Sequence, residues 1–250
     1  MSARVEHVSN ERDVARKLGG GPAIFLSASV PKERTFPASL QGPERFARQR
    51  ENEEYLHTAK PVQIRSAVTA ITRLLMTRGL RLVFGAHPAI SPMVLSAARD
   101  VIVNSREASG TPRILIFQSE YFKPELPDST LDLASWEAGL LVFTPVVPDE
   151  SGTKEGALEP SLRRMRQLMV SVPDLRAAIF IGGMDGVEKE ARLFAERNPG
   201  SPMYALGSTG SAALKLMQGE FAGPALSDTP SYSVIAAEIL DDLKRRSDLP

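Results

Sequence analysis

The chain has 250 residues, 42% hydrophobic and 24% charged, which is enough apolar material for a substantial core. The 30 Lys and Arg residues balance the 30 Asp and Glu residues, which excludes a nucleic-acid binder that acts through bulk positive charge. The lack of cysteine excludes disulfides and thiolate zinc sites, and no apolar run is long enough for a membrane span or a signal peptide, so we expect a cytoplasmic protein.

The first sixty residues divide into three parts. Residues 1–20 are polar and predict an N-terminal helix or arm. Residues 23–30, AIFLSASV, form an apolar run that predicts a strand ending in small hydroxyl residues. Residues 31–60 are highly charged and predict a solvated helix or a loop.

From residue 61 onward, short apolar runs alternate with amphipathic stretches. Pro61 suits a first helical turn, and Gly79 ends the helix that follows it. One face of this helix is marked by Ile64, Val68, Ile71 and Leu75. Further strands are predicted at residues 80–86, 113–119, 139–147, 177–183 and 203–208. Further helices are predicted at residues 93–104, 162–171, 187–195, 211–219 and 234–243.

This alternation predicts one α/β domain over residues 1–250. Continuous apolar strands that are joined by helices indicate a parallel sheet covered on both faces. Six predicted strands are too few for an eight-stranded barrel, so we expect a doubly wound, mostly parallel, Rossmann-like sheet of about six strands flanked by helices. The connections at residues 31–60 and 119–138 are long and are therefore candidate functional loops.

Small and polar residues follow the predicted strands. Because ligands of open parallel sheets bind outside the carboxyl ends of the strands, these residues form a candidate ligand-binding site. Glycines there admit a ligand close to the backbone, and helix N-termini favour anions, although each loop taken alone fits an ordinary turn and helix cap. The candidates are Ser27, Ser29, Gly85, His87, Gln118, Gly182, Gly183, Met184, Asp185, Glu190, Ser208, Thr209, Gly210 and Ser211.

Several well-known catalytic and cofactor motifs are missing from the sequence. It contains no GxxxxGK[ST] loop, no GxGxxG after the first strand and no GxSxG elbow. Only His87, of three histidines, falls at a predicted strand end, which is too few for a site built from several histidines. We therefore expect neither a metal nor a cofactor, and phosphate or ribose binding fits these loops better than acid–base chemistry.

Four segments together resemble one superfamily. They are AIFLSAS (23–29), LVFGAHPAISPMV (82–94), FIGGMDGVEKE (180–190) and GSTGSAA (207–213). They are similar to the SLOG superfamily, which contains LOG-type phosphoribohydrolases, the DNA-processing protein DprA and nucleotide-sensing domains tied to bacterial TIR and sirtuin-like defence effectors. The defence-associated cluster is the most similar, and the resemblance covers most of residues 23–215.

The LOG-type motif PGGxGTxxE is matched only in part. Its glycines and its acid correspond to Gly182, Gly183, Gly186 and Glu190. Ile181 replaces the proline, Val187 replaces the threonine, and Met184 and Asp185 stand where the enzymes have one residue. The resemblance therefore implies a nucleotide pocket more firmly than it implies hydrolysis.

The resemblance implies a protein that senses or sequesters a nucleotide. The ligand would be an ADP-ribose-type or NAD-derived signal, cyclic forms included, in bacterial antiphage defence. Gln118, Asp185 and Glu190 would contact ribose or base. Phosphates would be held at the hydroxyls and backbone N–H groups of Ser27, Ser29, Ser208, Thr209 and Ser211.

Two other functions stay open. A LOG-like nucleotide N-glycosidase would use Glu190 as its catalytic acid or base. Single-stranded DNA binding, as in DprA, fits poorly with zero net charge and only 6% aromatic residues. The expected partners are thus a nucleotide, an effector protein that acts in trans and further copies of the chain, but no membrane.

Overall fold

A computed structural model describes residues 3–34, 41–102, 112–219, 221, 223–227, 229 and 231–246. Within these ranges the strands are β1 (Val5–His7), β2 (Ala23–Ser29), β3 (Arg81–Gly85), β4 (Ile114–Ser119), β5 (Gly139–Thr144), β6 (Leu175–Gly182) and β7 (Met203–Leu206). The helices are α1 (Glu11–Leu18), α2 (Gly42–Thr58), α3 (Pro61–Thr77), α4 (Ser91–Ile102), α5 (Asp128–Ser135), α6 (Leu158–Met169), α7 (Asp185–Arg197), α8 (Ser211–Gln218) and α9 (Tyr232–Arg245). Short 3₁₀ helices span Glu120–Glu125 and Gly207–Thr209.

The strands form one parallel sheet in the order β1-β5-β4-β3-β2-β6-β7. From β2 the chain builds outward through β3, β4 and β5, and it then returns to place β6 and β7 on the other side of β2. The strand order therefore reverses between β2 and β6. Such a switch point opens a crevice at the carboxyl ends of the two strands, which is where ligands of doubly wound sheets bind.

Helices cover both faces of the sheet because the strands are apolar on both sides. Ile24 and Leu26 of β2 pack toward α3, α4, α5 and α9, whereas Ala23 and Phe25 pack toward α1, α6, α7 and α8. The predicted face of α3 is confirmed, since the side chains of all four of its marked residues are at most 3% exposed. The α/β class and the doubly wound parallel sheet are likewise confirmed.

The strand count was wrong by one. Residues 1–20, expected as a helix or arm, contain both β1 and α1. A three-residue edge strand leaves no apolar run, because Val5 and His7 face solvent and only Glu6 between them is partly covered. The helix after it, α1, is capped by Asn10, whose side chain accepts a hydrogen bond from the Asp13 amide.

The two long connections also contain helices. Most of α2 faces solvent, and only Asn52 and Tyr55 are buried, so its sequence has no apolar stripe. The connection at 119–138 contains the first 3₁₀ helix and α5. The helix that was expected to reach residue 104 is described as far as Ile102, and residues 103–104 lie outside the described ranges. In the described part of the chain, none of the helices is both long and apolar enough to cross a membrane.

Candidate functional site

A cleft of about 420 Å³ lies at the switch point, outside the carboxyl ends of β2 and β6. Its walls come from the end of β2, the loops after β3 and β6, and helices α6 and α7. The predicted site residues that line it are Ser29, Gly85, His87, Gln118, Met184 and Glu190. Lining residues that the sequence analysis missed include Lys32, Arg34, Phe122, Glu125, Met165 and Arg166.

Glu190 projects from the second turn of α7 into the cleft. Its Oε2 accepts a hydrogen bond of 2.5 Å from the Ser27 hydroxyl, and its Oε1 lies 3.5 Å from Nε of Arg166. Burial raises the pKa of Glu190, whereas the Arg166 charge and the Ser27 hydrogen bond lower it, and the net shift is upward. Ser27, only 1% exposed, thus orients the carboxylate instead of presenting its own hydroxyl to the cleft.

Arg166 is the second buried charge of the cleft. It is 9% exposed, and its Nη1 lies 3.6 Å from a carboxylate oxygen of Glu159. Neither Nε nor Nη1 completes a hydrogen bond within the described residues. A Cβ at Gly186 would come within 3.2 Å of Nη2, so the glycine at this position gives the guanidinium room. Arg166 therefore keeps donors that a ligand could use.

A chain of ion pairs continues around the mouth of the cleft. The Asp185 carboxylate lies 2.5 Å from Nη2 of Arg34 and 3.2 Å from Nζ of Lys189. Lys189 also pairs with Glu159, at 2.7 Å. Burial raises the pKa of Asp185, but the Arg34 hydrogen bond and charge and the Lys189 charge outweigh it, so the pKa lies below its usual value.

His87 lies in the loop after β3 as a neutral imidazole. Its Nδ1 accepts a hydrogen bond of 3.2 Å from the Ala89 amide, which places the proton on Nε2. Burial, together with the charge of Lys32, lowers the pKa of His87 to about 4. At neutral pH the ring is therefore an uncharged hydrogen-bond donor on the cleft wall.

The paired glycines after β6 adopt left-handed backbone conformations, with φ of 56° at Gly182 and 85° at Gly183. A Cβ on Gly182 would lie 2.4 Å from Ile64, and one on Gly183 would lie 2.2 Å from Val187. The Gly183 amide donates to the Ser29 carbonyl at 2.9 Å. These glycines let the loop pack on α3 and α7. Gly85 differs, because its nearest side-chain neighbour would be 3.8 Å from a Cβ.

The hydroxyls after β7 are engaged within the protein. Thr209 accepts from the Gly182 amide at 2.8 Å and donates to the Leu206 carbonyl at 2.5 Å. The Ser211 hydroxyl donates to the Tyr55 carbonyl at 2.8 Å. These bonds tie the loop to β6 and α2, on the far side of β6 from the loop after β3.

The remaining two residues of that loop also lie outside the cleft lining. A Cβ on Gly210 would lie 1.9 Å from the Thr58 carbonyl oxygen, so the glycine permits close packing on the end of α2. The Ser208 hydroxyl is 3.1 Å from that of Tyr232 and faces a separate cavity of about 560 Å³. Phosphate binding by Ser208–Ser211 stays a prediction.

A doubly wound parallel sheet with a charged cleft at its switch point defines a Rossmann-like protein with a ligand-binding site in the usual place for this fold. The family model described as the SLOG cluster3 family matches residues 54–240, and a match over about three quarters of the chain shows that it belongs to this family. Membership supports a nucleotide-related Rossmann-like protein. No curated protein and no solved structure matches the chain significantly.

The matched segment begins within α2. It includes His87, Gln118, Arg166 and Glu190, but it leaves out β2 and the Lys32–Arg34 stretch. One wall of the cleft therefore lies outside the segment that the family model matches.

Proposed function

We propose that this protein senses or sequesters a nucleotide of the ADP-ribose type or an NAD-derived signal, cyclic forms included, in the switch-point cleft. The observation that carries the proposal is the convergence of a buried carboxylate, Glu190, with the cationic side chains of Lys32, Arg34 and Arg166. A nucleotide offers the complementary groups, because ribose hydroxyls donate to a carboxylate and phosphates accept from lysine and arginine.

The other walls suit the remaining parts of such a ligand. Met165, Met184 and Phe122 supply apolar surface against which a base can pack. The Oε1 atom of Gln118 accepts a hydrogen bond of 3.0 Å from the Ser119 amide, and its amide nitrogen donates a long one of 3.5 Å to the Ala86 carbonyl. The amide nitrogen therefore has a second N–H group for a ligand. With the neutral His87 donor, the cleft offers both polar and apolar contacts.

The biological setting is part of the proposal and follows from the family resemblance. A nucleotide signal in bacterial antiphage defence would be read out by an effector protein that acts in trans. Association into a homo-oligomer belongs to the same proposal. A cytoplasmic location is consistent with a nucleotide signal.

A hydrolase that cleaves an N-glycosidic bond is the second candidate, and one observation favours it. Burial raises the pKa of Glu190 in a cleft wall, as is common for carboxyl groups that act as general acids. We rank it second because Val187 replaces a hydroxyl residue of the hydrolase motif.

Calorimetric titration with ADP-ribose, NAD, cyclic ADP-ribose and AMP tests the proposal, with chromatography of the same mixtures to detect a released base. Arg166→Gln should weaken binding of the best ligand about tenfold or more, since a charge-assisted hydrogen bond contributes about 1.5–3 kcal/mol. Arg163→Gln is the matched control, because Arg163 is an exposed arginine of the same helix outside the cleft.

Two results would contradict sensing. The first is the absence of binding to every nucleotide in the panel. The second is base release by the wild type that disappears in Glu190→Gln, which would establish the hydrolase instead.

A further inference from the structure

The N-terminus of α7, which adjoins the cleft, carries a carboxylate of the protein itself. Asp185 is the first residue of this 13-residue helix, whose free amides and dipole favour negative charge. Its carboxylate lies 2.5 Å from Arg34 and 3.2 Å from Lys189. Two cations and a helix N-terminus are what a phosphate group would need, and here they surround a carboxylate.

The same corner contains an independent sign of a ligand. Arg166 is nine-tenths buried on the cleft wall, lies against Gly186 at the start of α7, and has Nε and Nη1 without hydrogen bonds. A buried guanidinium with unused donors is costly unless an acceptor completes it. Asp185 is not itself a lining residue, but it pairs with the lining residue Arg34 and precedes the lining residue Gly186, so its charge acts on a ligand that reaches Arg166.

Asp185 is ionised at neutral pH, because Arg34 and Lys189 hold its pKa below the usual value. The other cations of the cleft are also largely balanced, since Arg166 faces Glu159 and Glu190. Among the lining residues that the structure describes, Lys32 is a cation without an ion-pair partner. The cleft can therefore compensate little additional negative charge.

We propose that Asp185 makes the cleft selective for nucleotides whose phosphates are linked on both sides, as in ADP-ribose or a cyclic nucleotide, over nucleotides that end in a phosphate monoester. The inference rests on the proposed function and narrows its ligand class. A phosphate linked on both sides carries one charge per phosphorus, whereas a terminal monoester carries about −1.5 to −2 at pH 7. Repulsion by a fixed carboxylate grows with that charge.

The test compares ADP-ribose with ADP by calorimetric titration of the wild type and of Asp185→Asn. Asparagine keeps the size of the side chain, removes its charge and leaves Arg34 and Lys189 available to a phosphate. We expect Asp185→Asn to tighten ADP binding tenfold or more and ADP-ribose binding less than threefold. For each ligand, the affinity of the variant is divided by the affinity of the wild type. Contacts of the second ribose of ADP-ribose occur in both proteins and therefore cancel.

Glu188→Gln is the matched control. It removes one charge from the same first turn of α7, but the Glu188 carboxylate accepts from the Tyr55 hydroxyl at 2.6 Å and lies 3.7 Å from Arg192. Neither of these partners lines the cleft, whereas the partner of Asp185, Arg34, does. The ratio of the ADP and ADP-ribose affinities should stay at its wild-type value in Glu188→Gln. A charge effect of the whole helix would instead shift the ratio in both variants and overturn the proposal.

Two further variants distinguish the effect of the Asp185 charge from misfolding of a single variant. Asp185→Ser is neutral and accepted at a helix start, so it should reproduce the asparagine result, whereas Asp185→Glu keeps the charge and should behave as the wild type. ADP-ribose binding with an unchanged affinity ratio in the neutral variants overturns this inference alone. Failure of the wild type and all variants to bind either nucleotide overturns the proposed function as well.

Discussion

Replacing Glu190 with Gln tests whether the buried pair with Arg166 stabilises the protein. Glutamine keeps the size of the side chain and an acceptor for Ser27, but it removes the charge that faces Arg166. Deleting one partner of a buried ion pair costs about 3–5 kcal/mol, because the other charge stays buried without compensation. Glu159, 3.6 Å from Arg166, retains part of the compensation, and glutamine also avoids the burial cost that raises the pKa of Glu190, so we expect a loss of about 2 kcal/mol.

For a chain of 250 residues this loss corresponds to a fall in Tm of roughly 4–8 °C. The assay is urea unfolding at pH 7, followed by circular dichroism. Glu159→Gln is the matched control, since the Glu159 side chain is 52% exposed and its pair with Arg166 should contribute less than about 1 kcal/mol.

A double-mutant cycle separates the pair from the fold around it. In the variant Arg166→Gln with Glu190→Gln, the loss should be at least about 1 kcal/mol smaller than the sum of the single losses. Wild-type stability of Glu190→Gln, or additive losses in the double variant, would refute the reasoning.

Three further predictions concern pH, backbone packing and one buried hydroxyl. Folding lowers the pKa of His87 from 6.5 to about 4, so the neutral ring contributes fully to the free energy of unfolding above pH 6.5, and this contribution is lost as the pH falls toward 4. In urea titrations, the wild type should lose about 2–3 kcal/mol of stability through this group between pH 7 and pH 4, and His87→Gln should lack this component. Gly210→Ala should lower the free energy of unfolding by more than about 3 kcal/mol, because its Cβ would lie 1.9 Å from the Thr58 carbonyl oxygen. The control Gly79→Ala has a similar φ but open space around the Cβ, and it should cost about 1 kcal/mol. Equal losses by urea unfolding would contradict this prediction. Tyr55→Phe should cost about 1–2 kcal/mol by removing the hydroxyl that contacts Glu51 and Glu188, and unchanged urea stability would show that these contacts contribute nothing.

The sequence was sufficient to predict the parallel sheet, because its central strands are continuous apolar runs and α3 has a clear stripe. It was not sufficient for β1, since an edge strand of three residues pairs through backbone atoms with β5 and buries little. The burial of Tyr55 was equally hidden, because a single aromatic residue within a charged helix has no periodic signal.

The candidate site could also be predicted only in part, because some of its residues have a signal in the sequence and others do not. Residues at the end of a strand or shortly after it, such as Ser29 and His87, reach the cleft because the carboxyl ends of parallel strands lie at one edge of the sheet. Arg166 could not be found that way, since it lies in the last turn of α6, far from a strand end in the sequence, and reaches the cleft only through tertiary packing. The Thr209 and Ser211 hydroxyls look like ligand groups in the sequence, but Thr209 accepts from the Gly182 amide and Ser211 donates to the Tyr55 carbonyl, and both partners lie on distant segments.

The central position of β2 affects how the protein is assembled during synthesis. About 150 residues separate β2 from β6, its partner on one side. At roughly 5–20 residues per second, the ribosome needs about 8–30 s to produce the intervening chain. During that time β2 can pair with β3, but its other edge has unsatisfied amides and carbonyls. The cleft between these strands is thus among the last parts of the nascent chain to form, and a chaperone that shields this edge would act in that interval.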